Sequence, residues 1–249
     1  MKHPLFRRVM LSAAVLLSFS SHSAFSQDKP VAATSVSATT DAKATAAKAK
    51  SDADNERKAA EWVASLQLGD AATAARVSEV VATHLKAIRD WHNEHPYTTV
   101  PAGINPVTGM PLSPLHRQMI ANSAMPKTVH EALLTGLRKD LTEEQVEAIL
   151  DKYTVGKVAF TMKGYHAIVP DLTAEEEKTI LGFLKQAREQ AVDYKNMDQI
   201  SAIFEIYKTK SEQYLNANGR DWKKLYKAYT DAAKAKKAAE AAKQQQPTR

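Results

Sequence analysis

The sequence contains no cysteine among its 249 residues. This absence excludes disulfide bonds, thiolate zinc sites and a cysteine nucleophile. It also excludes a lipid anchor attached to a cysteine at a processed N-terminus. The fold must therefore be stabilised by its apolar core.

Long apolar runs are also lacking beyond the N-terminus. Residues 1–26 have the pattern of a secretory signal peptide, in which three basic residues precede an apolar stretch at 9–19 that is too short to span a bilayer. Small residues, Ala24 and Ser26, predict cleavage before Gln27. The alternative is a retained membrane anchor. We expect an exported protein, periplasmic or extracellular, with no transmembrane segment after cleavage.

The excess of positive charge is confined to the ends of the chain. Residues 1–26 and 231–249 each carry a net charge of +3, and residues 27–53 carry +1, against a total of +6 for the whole sequence. The remaining residues, 54–230, therefore carry a net charge of −1. A basic isoelectric point is here no indication of nucleic-acid binding, and we expect no nucleic-acid partner.

No stretch shows the apolar alternation of a strand beside a hairpin turn. Residues 27–53 hold no aromatic residue, which predicts a disordered linker. Residues 54–230 have helical periodicity and predict a single all-α domain, a multi-helix bundle built from antiparallel helix pairs. Residues 231–249 are rich in Ala and Lys and predict a helical tail without a packing face.

Several helix starts can be read from the sequence. Thr142 with Gln145, and Thr173 with Glu176, have the spacing of a capping box, in which two side chains satisfy free backbone N–H groups. The two segments that follow are similar and lie 31 residues apart, which suggests related helix–turn–helix units. Asp198 is the predicted cap of a later helix.

A proline-rich loop interrupts the helical pattern at residues 94–114, which contain five prolines and two glycines. Long loops inside a compact domain are often functional. Tyr97 and Asn105 are therefore weak candidates for a site.

Four motifs in the second half of the chain are specific enough to compare with known families. They are Tyr153-Thr-x-Gly-x-Val158, Ile168-Val-Pro-x-Leu-Thr173, Ala187-Arg-Glu-x-Ala-x-Asp193 and Ile203-Phe-x-x-Tyr-Lys208. Together they resemble a bacterial exported family catalogued as domain of unknown function 3826, over about residues 56–229. The sequence departs from it at Asn196-Met-Asp198, where the family resemblance would imply small residues. The resemblance implies a helical, glycan-related protein, because members often belong to glycan-degradation loci and some are labelled sugar-binding.

Two glycines, Gly156 and Gly164, lie in the run 153–166, where each costs about 1 kcal/mol relative to Ala in a helix interior. One interpretation is close packing between helices. The other is that the missing side chains leave room for a ligand.

A strip of polar and aromatic residues accompanies these glycines at four-residue steps. Its members suit a sugar, which stacks on rings and forms hydrogen bonds at its edges. They are Tyr153, Lys157, Thr161 and Tyr165, followed by His166. The alternative is that the tyrosines belong to the core.

Cationic side chains at the edges of apolar stripes are further candidates. Arg188 and Lys208 could face a ligand carboxylate, or they could lie over the core with solvated charges. His116 is isolated in sequence and is a candidate ligand-binding or acid–base residue. His92 and His95 are three residues apart before a proline, which is not the paired-histidine spacing of a zinc protease, and we expect no metal.

No motif identifies a reaction: a serine nucleophile elbow and a phosphate-cradling glycine loop are both absent, and no cofactor is expected. We favour an exported, glycan-associated accessory or binding protein with an oligosaccharide or polysaccharide ligand, of which an acidic one would suit the cations. A glycan-active lyase or hydrolase is one alternative, using His116 or His166 with Tyr165. A periplasmic chaperone-like helical protein is another, since the segment 141–145 resembles a signature of small envelope-stress proteins.

Overall fold

The computed structural model describes residues 33–244, and the side chains of residues 42–241 within them. This part of the chain is helical and holds no strand, so the prediction of an all-α fold is confirmed. The helices are α1 (Ala33–Ala64), α2 (Ala71–Glu94), α3 (Pro114–Ser123), α4 (Lys127–Asp140), α5 (Glu143–Tyr153), α6 (Lys157–Ile168), α7 (Ala174–Ala191), α8 (Met197–Ala217) and α9 (Trp222–Gln244).

The chain divides into two units, one ending at Ala46 and the other beginning at Ala47. Of the first unit the structure describes residues 33–46, which are the first part of α1. The side-chain contacts discussed below all lie within the second unit. The proposed signal peptide, residues 1–26, lies outside the described residues.

Residues 33–53 are helical, although the sequence predicts a disordered linker over 27–53. Polar contacts and helix propensity, rather than buried apolar side chains, account for this helical segment. Arg89 of α2 donates to Asp52 at 2.7 Å and to Ser51 at 3.0 Å, which fixes this part of α1 in an Ala-rich segment of high helix propensity. The prediction of disorder considered only the apolar residues available for burial, and polar contacts such as these lie outside that criterion.

The core consists of two clusters of buried side chains. The first joins α1, α2, α4 and α5, with Val63, Val81, Leu137 and Ile149 fully buried. The second joins α6, α7 and α8, and is covered by Trp222 and Leu225 at the start of α9. These helices pack because their apolar residues recur at three- and four-residue spacing.

Both predicted capping boxes are present, at Thr142 and Thr173. The predicted cap of α8 is wrong: the side chain of Asn196, not Asp198, accepts the hydrogen bond from the backbone N–H of Gln199. Asparagine and aspartate are equally good caps, so the sequence alone does not separate two candidates two residues apart.

The run 153–166 is not one helix. The chain turns at Gly156, whose φ of 66° lies in the left-handed region that glycine adopts readily, and α6 begins after it. A Cβ added at Gly156 or Gly164 would meet no atom within 4 Å, so close helix packing does not explain either glycine. Gly136 is the closely packed glycine, since a Cβ there would lie 2.8 Å from two methyl carbons of Val80.

The proline-rich loop contains a short 3-10 helix at Tyr97–Thr99 and a bridge between Ile104 and Pro111. The Asn105 side chain accepts hydrogen bonds from the backbone N–H groups of Val107 and Thr108 and thereby closes the turn. Asn105 therefore has a local structural role in this loop.

Candidate functional site

A cleft of about 810 Å³ lies between α6, α8 and α9. The helices α6 and α8 form two walls of this cleft, and α9 forms the third. Arg220, just before α9, donates to Asp171 at 2.8 Å and to Glu176 at 2.8 Å near the start of α7. The hydrogen bond from Arg220 is the largest cause that lowers the pKa of Glu176 to about 2. These ion pairs direct the α8–α9 turn so that the aromatic face of α9 meets α6.

Tyr165 lies in the wall of the cleft, only 2% exposed, and its hydroxyl donates to the backbone carbonyl of Lys208 at 3.2 Å. The ring of Trp222 lies 5.4 Å from that of Tyr165, measured between centroids. Burial raises the pKa of Tyr165, so the phenol stays neutral and donates its hydrogen bond throughout the physiological range. This wall of the cleft is therefore aromatic and fixed.

Three further aromatic rings line the cleft while remaining open to solvent. Phe160 of α6 is 77% exposed, Tyr226 is 50% exposed and Tyr229 is 41% exposed. Tyr226 stacks on Trp222 with ring centroids 6.0 Å apart and an angle of 26° between the ring planes. Apolar rings in this number beside one cleft form a surface on which a flat ligand face can pack.

Charged side chains line the same cleft as these rings. Lys208 donates to both carboxylate oxygens of Glu205, at 2.9 and 3.0 Å. Lys157 lies over the ring of Phe204, 5.6 Å from its centroid. Burial is the main cause that raises the pKa of Glu212, another residue of the cleft wall. The cleft thus combines apolar faces with both donors and acceptors, the combination that binds a polyhydroxylated ligand.

A second polar centre lies at the C-terminal end of α7, where Asp193 joins two histidines. One oxygen, Oδ1, is 3.0 Å from Nε2 of His84 on α2, and the other, Oδ2, is 2.9 Å from Nδ1 of His130 on α4. Tyr153 places its hydroxyl 3.2 Å from Nδ1 of His84. Because a carboxylate only accepts hydrogen bonds, the facing nitrogen of each histidine carries the hydrogen. Four helices therefore meet at one carboxylate network.

The network changes the acidity of its members. The hydrogen bond that His130 donates to Asp193 is the main cause that raises the pKa of His130. Burial alone would raise the pKa of Asp193, but the hydrogen bonds from His130 and His84 outweigh it and lower that pKa. Burial, with the nearby charge of Asp193, raises the pKa of Tyr153. At neutral pH the Asp193 carboxylate is thus ionised and the Tyr153 phenol is neutral.

Four of the candidate residues from the sequence come together in the cleft. They are Lys157, Thr161, Tyr165 and Lys208. Gly164 also lines the cleft, and the space at its Cα is open. Of the two interpretations of this glycine, the open space agrees with the one in which a missing side chain leaves room.

The other four candidates lie elsewhere. Tyr153 is in the first core cluster beside His84. Arg188 is 4% exposed and donates to Asp151 at 2.9 Å, so it forms a structural ion pair, whereas the sequence offered either a ligand contact or a solvated charge over the core. His166 is exposed and faces Glu177 at 3.4 Å. His116 is exposed near the start of α3, and neither Arg188 nor the 94–114 loop lines the cleft.

Sequence reasoning missed the aromatic contribution of α9 and the histidine network. The residues 222, 226 and 229 share one helical face, but core stripes have the same period, so this spacing alone does not indicate a cleft. Asp193 stood in one of the quoted motifs, but its partners are 63 and 109 residues away in sequence. No local spacing connects them.

Within residues 33–244, no three histidine or carboxylate side chains are arranged to hold a metal ion. His92 instead lies 3.3 Å from Nε2 of Gln199, and His95 stacks on Trp91 with ring centroids 3.7 Å apart. None of the helices in the described part of the chain is both long and apolar enough to cross a membrane.

Residues 32–235 match the model of a family described as protein of unknown function (DUF3826). Because the match covers more than half of the sequence, the chain belongs to this family, as its motifs indicated. No curated protein matches the chain.

Proposed function

We propose that this member of the DUF3826 family is an exported, glycan-associated protein that binds an oligosaccharide in the cleft between α6, α8 and α9. The observation that supports this proposal is the composition of one surface: Phe160, Trp222, Tyr226 and Tyr229 line the same cleft as the polar strip of α6. Sugar rings have an apolar face, which stacks on aromatic side chains, and hydroxyl edges, which form hydrogen bonds.

The exposure of Phe160 favours a binding role over a role in the core. A side chain that is 77% exposed contributes little burial energy to the fold. Gly164 leaves open space one helical turn further along the same wall. A ligand in the cleft would cover the ring of Phe160 and fill the space at Gly164.

The charges favour an acidic sugar. Lys208 is paired with Glu205, whereas Lys157 and Lys163 have no carboxylate partner among the described residues. Two cations without a carboxylate partner among the described residues, beside an aromatic surface, suit a ligand that carries carboxylates, such as an oligomer of uronic acids.

Calorimetric titration of the purified protein tests this proposal, with oligomers of galacturonic acid as acidic probes and xylo- and cello-oligosaccharides as neutral ones. We expect binding of an acidic oligomer, accompanied by a change in the fluorescence of Trp222, and weaker binding after Phe160→Ala or Lys157→Ala. Tyr97→Ala removes an exposed ring outside the cleft and is the matched control. Unchanged affinity in both cleft variants would contradict the assignment of the cleft.

The same titration separates the proposal from chaperone-like activity. A chaperone that captured unfolded chains in this cleft would suppress the aggregation of a denatured client protein and would not bind the sugars in the titration.

N-terminal sequencing of the secreted protein tests export: we expect Gln27 as the first residue, and intact Met1 in the membrane fraction would contradict it.

A further inference from the structure

A second cavity, of about 490 Å³, adjoins the histidine network and shares no residue with the cleft. It lies between the α3–α4 connection, α4, the C-terminal part of α7 and α8. His130 and Asp193 both line it. The function proposed for the cleft leaves this cavity and its titratable groups unused.

Of the two ring nitrogens of His130, Nδ1 has a hydrogen-bond partner, and Nε2 has none within hydrogen-bond distance among the described residues. Its Nδ1 donates to Asp193 at 2.9 Å, and its Nε2 lies 3.9 Å from Oε1 of Glu189, beyond hydrogen-bond distance. In the neutral ring Nε2 therefore carries the lone pair at the cavity. A carboxylate behind one nitrogen of a histidine orients the ring and stabilises the imidazolium that forms when the other nitrogen takes a proton.

Asp193 is also fixed by a hydrogen bond from a second histidine. His84, only 3% exposed, occupies its second oxygen at 3.0 Å, and Tyr153 follows at 3.2 Å. The Asp193 side chain is 22% exposed, and a partly buried ion pair is often no more stabilising than an apolar packing of the same volume. The network is better suited to fixing Asp193 and His130 than to stabilising the core.

The charges around His130 define the ligand class. Asp193 and Glu189 approach from α7 and its C-terminal end, and Glu131 stands on α4, whereas Lys127 is the one cationic side chain of Lys or Arg type among the residues that line the cavity. Tyr194 and Tyr207 add neutral phenols and Gln186 and Gln190 add amides. The surplus of carboxylates disfavours an anionic ligand, and the phenols and amides can form hydrogen bonds to an uncharged polar one.

We infer that His130, oriented by Asp193, is the general base of a hydrolytic site for uncharged carboxylic esters. His130 Nε2 takes a proton from a water molecule, whose oxygen forms a bond to the carbonyl carbon of the ester. When the tetrahedral intermediate collapses, the bond between that carbon and the alkoxy oxygen breaks. The leaving oxygen takes the proton back from His130, and the products are an alcohol and a carboxylic acid that ionises into solvent.

Water, rather than a side chain, is the nucleophile in this step. Ser123 is the one serine among the residues lining the cavity, and its hydroxyl donates to the backbone carbonyl of Ile120 at 2.7 Å. The amide N–H groups of Gln186 and Gln190 and the ammonium of Lys127 are the donors available to the developing oxyanion.

Hydrolysis of 4-nitrophenyl acetate, a small uncharged ester, tests the inference on the full exported chain. Loss of a general base lowers such rates by on the order of 100-fold, and we expect His130→Asn to lower the rate of the wild type to that extent. His116→Asn, a change of an exposed histidine outside both cavities, is the control and should leave the rate unchanged. A His130→Asn rate equal to that of the wild type would overturn the inference.

The role of Asp193 is tested by the pH profile. The base must be unprotonated, so the wild-type rate should rise with pH through the raised pKa of His130. Asp193→Asn removes the carboxylate that raises this pKa. We expect the midpoint of the pH–rate profile to move to lower pH and the maximal rate of the variant to be lower than that of the wild type. A lower rate with an unmoved midpoint would contradict the positioning role.

A measurement on the wild type covers the case in which the variants do not fold. Diethyl pyrocarbonate acylates unprotonated histidines, and mass spectrometry locates the modified ones. We expect loss of hydrolysis to follow modification of His130. Full activity in protein modified at His130 would overturn the inference.

Discussion

Arg220 donates two hydrogen bonds to the carboxylate of Glu176, from Nε to Oε1 at 3.0 Å and from Nη2 to Oε2 at 2.8 Å. The two residues are 44 positions apart. Their contact joins the turn before α9 to the first turn of α7, and thereby places Trp222 beside Tyr165. The aromatic wall of the cleft therefore depends on an ion pair outside it.

We expect Arg220→Gln to lower the free energy of unfolding and to lower it in a pH-dependent way. The pKa of Glu176 is about 2 in the folded protein, against an ordinary value of 4.5. The contribution is therefore complete above pH 4.5 and is lost as the pH falls toward 2. Urea unfolding should show that the free energy of unfolding changes less between pH 7 and pH 3 for Arg220→Gln than for the wild type. Arg57→Gln, which removes an exposed arginine with acidic neighbours on its own helix, is the control. An equal pH dependence in wild type and Arg220→Gln would show that the pair contributes nothing.

Gly136→Ala and Gly182→Ala should have opposite effects on stability. At Gly136 the new methyl group would approach Val80 to 2.8 Å, and overpacking of this kind costs about 1–3 kcal/mol, which equals or exceeds the gain of at most about 1 kcal/mol in helix propensity. At Gly182 no atom lies within 4 Å, so Ala should stabilise the protein by about 0.5–1 kcal/mol. Urea unfolding of both variants checks the signs. Stabilisation by Gly136→Ala would mean that α2 and α4 are not closely packed there.

The contact at Gly136 shows which part of the fold could be read from sequence. Helix starts such as Thr142 and Thr173 depend on neighbours three residues away, and apolar stripes depend on neighbours four residues away, so local spacing predicts both. Val80 and Gly136 are on different helices, and no local pattern shows that they meet. The glycines chosen from the sequence, Gly156 and Gly164, have no such neighbour.

The candidate site divides in the same way. Lys157, Thr161 and Tyr165 were found because one helix places them on one face. Arg188 and Lys208 were both selected as cations at the edge of an apolar stripe, but Lys208 lines the cleft and Arg188 is buried against Asp151. Whether a charge at the edge of a stripe faces a cleft or a carboxylate depends on the packing of helices, which the periodicity of a single helix does not contain.

Contacts of α1 predict where the folded domain can be trimmed. A chain of residues 54–230 lacks Ser51 and Asp52, and so leaves Arg89, which is 8% exposed, without the carboxylate of α1. We expect a chain of residues 47–230 to melt at a higher temperature than one of residues 54–230. Restoring the shorter chain's melting temperature by Arg89→Met would support the cause, because an apolar side chain needs no ion partner. Equal melting temperatures of the two trimmed chains would show that residues 47–53 are dispensable.

His130 and Asp193 should limit stability at opposite ends of the pH range. The pKa of His130 is raised, so its contribution is complete below the ordinary value of 6.5 and is lost as the pH rises through the folded value. The pKa of Asp193 is lowered, so its contribution is complete above 3.8 and is lost as the pH falls. Urea unfolding between pH 5 and pH 9 should show a decline for the wild type that His130→Asn lacks and that His166→Asn, at an exposed position, keeps. A decline of the same size in His130→Asn would place its cause elsewhere.

The role of the cleft is tested most directly by calorimetric titration of Gly164→Leu with a trimer of galacturonic acid. The added side chain would enter open space in the cleft wall, and leucine has a higher helix propensity than glycine. We expect affinity at least about tenfold weaker than that of the wild type, a loss of about 1.4 kcal/mol, without a lower melting temperature. Gly182→Leu, at an open position on α7 outside the cleft, should bind as the wild type does. Wild-type affinity in Gly164→Leu, or no binding by the wild type itself, would contradict the assignment of the cleft as an acidic-oligosaccharide site.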